Sequence, residues 1–315
     1  MFKRSAFTML ELVFVIVIMG IIGKFGVEFL AQAYKSFIFS KINHELQSTS
    51  EQTVELIAAR LENRLKDSVI ARVGAGGAPI ALGSADGTLV NYPVLEWIGV
   101  DDDGFRGSSD NNTSINLPNW SGIIDLDNAN ATANILVSPE TNTTNTSNLI
   151  SLLSNADSNI THTALYFMGS NSDAGRDYGW DGNITYMNSQ QAAMHPITSN
   201  GTLDQFTSST ASTFNGIDVF EYYKLAWTAY AIVYEAGANN LGVLRLYWDY
   251  QPWLDRDGDG VSDQFNTGPF AKNAVIMENV STFRFMAIGS IIKIQVCTKS
   301  NIIEEYSLCK EKTIF

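Results

Sequence analysis

A chain of 315 residues with 45% apolar content can bury a sizeable core, as one large domain or two modest ones. Its 20 Lys and Arg against 33 Asp and Glu leave a net charge of −13, which argues against nucleic acid as a partner. Phosphate recognition needs clustered cations, and the sequence has no such patch.

The chain begins Met1-Phe2-Lys3-Arg4-Ser5-Ala6 and turns apolar from Phe7 to Gly23, interrupted only by Thr8 and Glu11. With Phe25, Val27, Phe29, Leu30 and Ala31 added, the run reaches the ~20 residues a bilayer-spanning helix needs. Lys3 and Arg4 predict a cytoplasmic N-terminus, with the rest of the chain on the other side. In a secretory signal the small-residue cleavage site follows the apolar run. Here the small residue, Ala6, precedes it. Segment 1–6 is therefore read as a cytoplasmic leader and 7–31 as a transmembrane helix.

Val54, Ile57, Leu61, Leu65 and Val69 recur at helical spacing, with Glu62 and Lys66 on the other face. This pattern predicts an amphipathic continuation over 32–73, stopped by Gly74-Ala75-Gly76-Gly77. A helix from Phe7 to Val73 would be about 100 Å long. Gly20, Gly23 and Gly26 are its weak points. From 74 to 225 Asn, Ser, Thr, Asp and Gly dominate, which predicts a loop-rich insertion with short strands. Candidate strands are Val94 to Ile98 and Thr163 to Met168, whereas Thr141 to Asn148 reads as surface loop. Over 226–315 the runs Trp227 to Tyr234 and Leu241 to Tyr250 suggest a hairpin. Further strands follow at Ala274 to Met277, Thr282 to Ile288 and Ile291 to Cys297. The fold class expected is α+β: a long N-terminal helix packed on an antiparallel sheet.

Ala6 followed by Phe7-Thr8-Met9-Leu10-Glu11-Leu12 and a long apolar helix resembles the cleavage and methylation segment of type IV pilins and type II secretion pseudopilins. The resemblance implies that prepilin peptidase cuts between Ala6 and Phe7, with Ala6 standing where the family has Gly. Phe7 would become the N-methylated first residue, and Glu11 matches the acidic fifth residue of the mature helix. Glu11 also has an independent physical rationale. An ionised carboxylate inside a bilayer costs about 2.5–3.5 kcal/mol and so needs a partner. The α-amine freed at Phe7 of a neighbouring subunit supplies one.

Asp255-Arg256-Asp257-Gly258-Asp259-Gly260-Val261-Ser262-Asp263 places acids at positions 1, 3, 5 and 9 of a calcium loop and glycine at position 6. Val261 would offer its carbonyl, and Asn266 stands at position 12 where a bidentate Glu is usual. One calcium ion is expected here, with no organic cofactor. A looser cluster, Asp101-Asp102-Asp103-Gly104 with Asp110, reads as a solvated loop. Asn112, Asn142, Asn159 and Asn183 each fit an acidic-x-Asn-x-Ser/Thr pattern that resembles a bacterial glycosylation acceptor, in a region where chance matches are expected. Cys297 and Cys309 read as a structural disulfide if the domain is exported, and as two buried thiols if it is not.

No motif for catalysis appears: G-x-S-x-G, H-E-x-x-H and phosphate-cradling glycine loops are missing, and His44, His162 and His195 lack metal-ligand spacing. The aromatics Trp227, Tyr230, Trp248, Tyr250 and Trp253 read as sheet packing. The expectation is a non-enzymatic minor pilin or pseudopilin of the bacterial inner membrane, single-pass, with its C-terminal domain periplasmic, later part of a periplasmic or surface filament. Its partners would be other pilin or pseudopilin subunits, prepilin peptidase and an inner-membrane assembly platform. The alternative is a pilus-tip adhesin that binds through the 74–225 insertion.

Overall fold

The computed structural model describes residues 8–84, 92–109, 116–209, 213–238, 241–300 and 306–315. They fall in two compact units, Met1–Thr49 and Ser50–Phe315. The described part of the first unit is one helix, the start of α1 (Met9–Glu62). Its best 18-residue window has a mean hydropathy of 2.3 and buries nothing, so α1 is long and apolar enough to span a membrane. Gly20, Gly23 and Gly26 do not interrupt it, and a Cβ at any of them would meet no atom within 4 Å.

In the second unit α1 stops at Glu62 rather than near Val73. The reason is competition from a strand. Leu65 donates its amide to Ile98 O at 2.9 Å, and Val100 donates to Asn63 O at 2.7 Å, which draws the chain out of the helix. Leu65 and Val69 are both extended and flank a single 3-10 turn, Lys66–Ser68. That turn happens to keep the apolar spacing that reads as helix.

The strands in chain order are β1 (Ile70–Arg72), β2 (Ile80–Ala81), β3 (Val94–Gly99), β4 (Ser108–Ser109), β5 (Asn116–Leu117), β6 (Ile135–Val137), β7 (Ala164–Phe167), β8 (Met194–Ser199), β9 (Gln205–Ser208), β10 (Tyr223–Ala226), β11 (Thr228–Glu235), β12 (Gly242–Tyr250), β13 (Lys272–Ile288), β14 (Ile291–Lys299) and β15 (Ser307–Ile314). An eight-stranded antiparallel sheet runs β15-β14-β13-β12-β11-β3-β1-β2, and a five-stranded one runs β10-β7-β8-β9-β6. The larger sheet is therefore not confined to 226–315; it takes three strands from residues 70–99. The two runs read as separate strands at 274–277 and 282–288 form one strand, β13.

One face of the larger sheet carries Trp97, Ile232, Leu244, Phe285 and Ile294, which pack on Val54, Ile57, Ala58 and Leu61 of α1. Lys312 reaches Glu55 at 2.6 Å across the same contact. The opposite face, with Ile70, Val94, Ile98 and Ala231, packs on Ala164, Tyr166 and Met194 of the smaller sheet. Thus β3 is buried on both sides, which explains its unbroken apolar run better than alternation would. Within the 74–225 region, expected as a loop-rich insertion with short strands, β2 and β3 join the larger sheet, and the short strands β6 to β10, the last ending at Ala226, build the second layer between long loops. In the same region, α2 (Asp102–Arg106), α3 (Thr143–Leu153) and α4 (Ile184–Met187) are short. α3 occupies the run read as surface loop, burying Thr143, Thr146 and Ile150.

His162 and His195 lie in a 3-10 turn and in β8, respectively. Burial lowers each imidazole to about 4. The His195 ring lies 5.3 Å from that of Phe167. A histidine titrating lower folded than unfolded stabilises above the unfolded value, and that contribution is lost as pH falls from 6.5 towards 4. For His195 the loss is about 2 kcal/mol after allowing for the part of the ring that water reaches. Urea unfolding at pH 7 and pH 4 should therefore show a smaller acid loss for His195→Gln than for the unsubstituted chain. Equal losses would show that this ring is not involved.

Candidate functional site

At the start of α1, Thr8 precedes the first helical residue and Glu11 follows three positions later. The Thr8 amide and hydroxyl both donate to Glu11 Oε2 at 2.9 Å, and the Glu11 amide donates to Thr8 Oγ1 at 3.4 Å. This reciprocal pair is a capping box, and the T-x-x-E spacing that announces it is legible in the sequence. Glu11 therefore has a local partner within its own chain. Ala6 and Phe7, the expected cleavage and methylation positions, lie outside the described residues.

The acidic loop leaves β12 through buried Trp253 and returns through buried Phe265. Carboxylate oxygens of Asp255, Asp257 and Asp263 all lie within 4.8 Å of one another. Asp255 draws the turn closed. Its Oδ1 accepts the amides of Gly258 at 2.7 Å and Asp259 at 3.2 Å, and its Oδ2 accepts that of Gly260 at 3.0 Å. Gly258 and Gly260 have φ of 77° and 87°, a conformation that favours glycine. Asp259 is not part of the three-carboxylate group; it is exposed and accepts the Val261 amide at 2.8 Å. Val261 and Asn266 are exposed.

Asp263 differs from the other two acids because it is only 4% exposed and its Oδ2 has no hydrogen-bond partner. Burial pushes its carboxyl up to about 7, opposed by the Arg256 amide and guanidinium and reinforced by Asp257 and Asp255. A buried carboxylate oxygen left unpaired costs free energy unless a proton or a cation meets it. Carboxylate oxygens from three residues within 4.8 Å of one another are the hard donors that a calcium-sized ion takes.

The second acidic cluster has a structural explanation. Asp101 caps α2, accepting from the Gly104 amide at 3.2 Å and from Trp120 Nε1 at 3.0 Å. Asp102 pairs with Arg106 at 2.6 Å. The glycosylation-like asparagines have one as well: Asn142, Asn159 and Asn183 are all helix N-caps whose side chains accept a backbone amide. Asp110 and Asn112 lie outside the described residues. Cys297 and Cys309 are opposite one another on β14 and β15 and are joined, with S–S 2.08 Å. Trp253 and Tyr250 are fully buried and Trp227 nearly so, whereas Tyr230 and Trp248 are half-buried beside the helix face.

Sequence reasoning missed a buried polar network beside the acidic loop. Arg72 of β1 pairs with Glu96 of β3, both inaccessible to solvent or nearly so. Arg72 also donates to Gly77 O at 2.9 Å, Trp180 O at 2.7 Å and Gln264 Oε1 at 3.0 Å. Tyr250 donates its hydroxyl to Glu96 Oε2 at 3.2 Å. Burial pushes the Glu96 carboxyl up, and the Arg72 charge draws it back down. The signal present in the sequence is Glu96 itself, a lone acid within an apolar strand, which requires a buried cation. The chain matches no protein-family model, and comparison with curated proteins and with solved structures finds no match either.

Proposed function

We propose that the chain is a minor pilin or pseudopilin, a structural subunit of a type IV pilus-like filament. The observation that supports this most is the apolar, exposed first part of α1 carrying a lone carboxylate, Glu11, in its first turn. A soluble domain does not leave such a stretch exposed, whereas a bilayer or the packed helices of a filament would cover it. In this reading prepilin peptidase removes residues 1–6 at the inner membrane. The amine freed at Phe7 of one subunit then meets Glu11 of the next, and the second unit stays on the periplasmic side. Capping by Thr8 keeps the carboxylate partnered until that subunit arrives.

The acidic loop is the subunit's calcium site. Asp255, Asp257 and Asp263 supply carboxylate oxygens, and the cation offsets the unpaired buried oxygen of Asp263. The ion's role is to fix the loop, not to perform chemistry.

The test is the mass of the native N-terminus in membrane and filament fractions. Expected is a chain that begins at methylated Phe7. A chain that keeps Met1 to Ala6 and works as a lone membrane tether would end the proposal.

A further inference from the structure

Every hydrogen bond between the acidic loop and segment 177–184 comes from the two residues that flank Asp263. The Ser262 amide donates to Gly182 O at 3.1 Å. The Ser262 hydroxyl donates to Gly179 O at 2.9 Å, and Gln264 Nε2 donates to the same oxygen at 2.8 Å. The backbone at Gly179 is seated hard against the root of the loop. A Cβ there would lie 1.8 Å from Pro252 O, and φ is +85°. Trp180, next in the chain, gives its carbonyl to Arg72 and donates its indole NH to Ser68 O at 3.0 Å. Segment 177–184 leads towards β8 through the bond from the Ala193 amide to Asp177 O, 2.9 Å.

We infer that a divalent cation held by Asp255, Asp257 and Asp263 is the lock that docks segment 177–184 and its Arg72 contacts onto the eight-stranded sheet. The inference rests on the calcium reading of the loop. Without a cation, three carboxylates within 4.8 Å repel one another, and Asp263 gains by swinging towards water. Any such swing displaces Ser262 and Gln264 together, so all three bonds to 179–182 are lost at once. Arg72 then loses Gln264 Oε1 and its hold on Trp180 O. The neighbouring segment 157–163 is not independent of the loop, since Arg256 donates to Asp157 O at 2.6 Å. Strands β13 to β15 serve as the internal reference instead.

The test is hydrogen exchange of the full chain in detergent micelles, in millimolar calcium and in chelator, alongside terbium luminescence titrated against calcium. Expected is terbium binding displaced by calcium, with calcium slowing exchange over 177–184 by about tenfold or more. Strands β13 to β15 should change little. Asp257→Asn, at an exposed position, should abolish both signals. Ser262→Ala, which removes one of the three bonds, should keep the terbium signal and lose only part of the protection at 177–184. If terbium binds but protection stays within 254–266, the lock is overturned and the metal site stands. If nothing binds, both are overturned.

Discussion

Filaments from cells expressing the Glu11→Val chain are expected to contain at least about tenfold less of this subunit, while the membrane fraction retains it. The physical asymmetry is simple. Removing the carboxylate relieves an insertion cost of about 2.5–3.5 kcal/mol, so the helix enters the bilayer at least as readily. In the proposed filament, assembly suffers because the amine at Phe7 of a neighbouring subunit would lose its counter-charge. A loss of ~1.4 kcal/mol is already tenfold in an association constant. The capping box supplies the necessary control, since Glu11 also accepts from Thr8. Glu11→Gln keeps an oxygen for that local bond and discards the charge. Normal incorporation of Glu11→Gln would leave capping as the whole role of this residue and remove the charge-pairing mechanism.

The largest stability effect is expected at Arg72. Replacing it with Leu leaves Glu96 fully buried without its counter-charge, a change that costs about 3–5 kcal/mol when one member of a buried pair is removed. It also strands the carbonyls of Gly77 and Trp180. At about 2–4 °C per kcal/mol for a domain of this size, the melting temperature should fall by roughly 10 °C. Removing both charges, with Glu96→Leu added, should recover part of that loss, because an apolar pair no longer pays for desolvation. A double variant no more stable than Arg72→Leu alone would mean that the hydrogen bonds to Gly77, Trp180 and Gln264 carry the effect instead.

Local pattern made some of the fold legible and long-range pairing hid the rest. The first turns of α1 follow from composition, and the β11–β12 hairpin follows from two β-rich runs around a short polar link. The end of α1 was not legible because Leu61, Leu65 and Val69 keep helical spacing while β3 captures the backbone between them. The membership of β1 to β3 in the larger sheet was hidden for a related reason: nothing local in Val94 to Gly99 names β11 as its neighbour. α3 was obscured by its own composition, yet Asn142 as N-cap and Ile150 about two turns on were there to be read. At the acidic loop the alternation of aspartates was plain from the sequence. That Asp263 alone of these acids is buried, with its Oδ2 unpartnered, goes with the anchoring of its neighbours Ser262 and Gln264 to Gly179 and Gly182, which no spacing rule conveys.

The sheet order also bears on how this chain reaches its native state. Between Gly99 at the end of β3 and Thr228 at the start of β11, its sheet partner, lie ~130 residues, on the order of ten seconds of synthesis at 5–20 residues per second. Throughout that interval a strand greasy on both sides has an open edge. Such high contact order slows folding and invites intermolecular pairing. Residues 94–99 are therefore the segment most exposed to intermolecular pairing until the later half emerges.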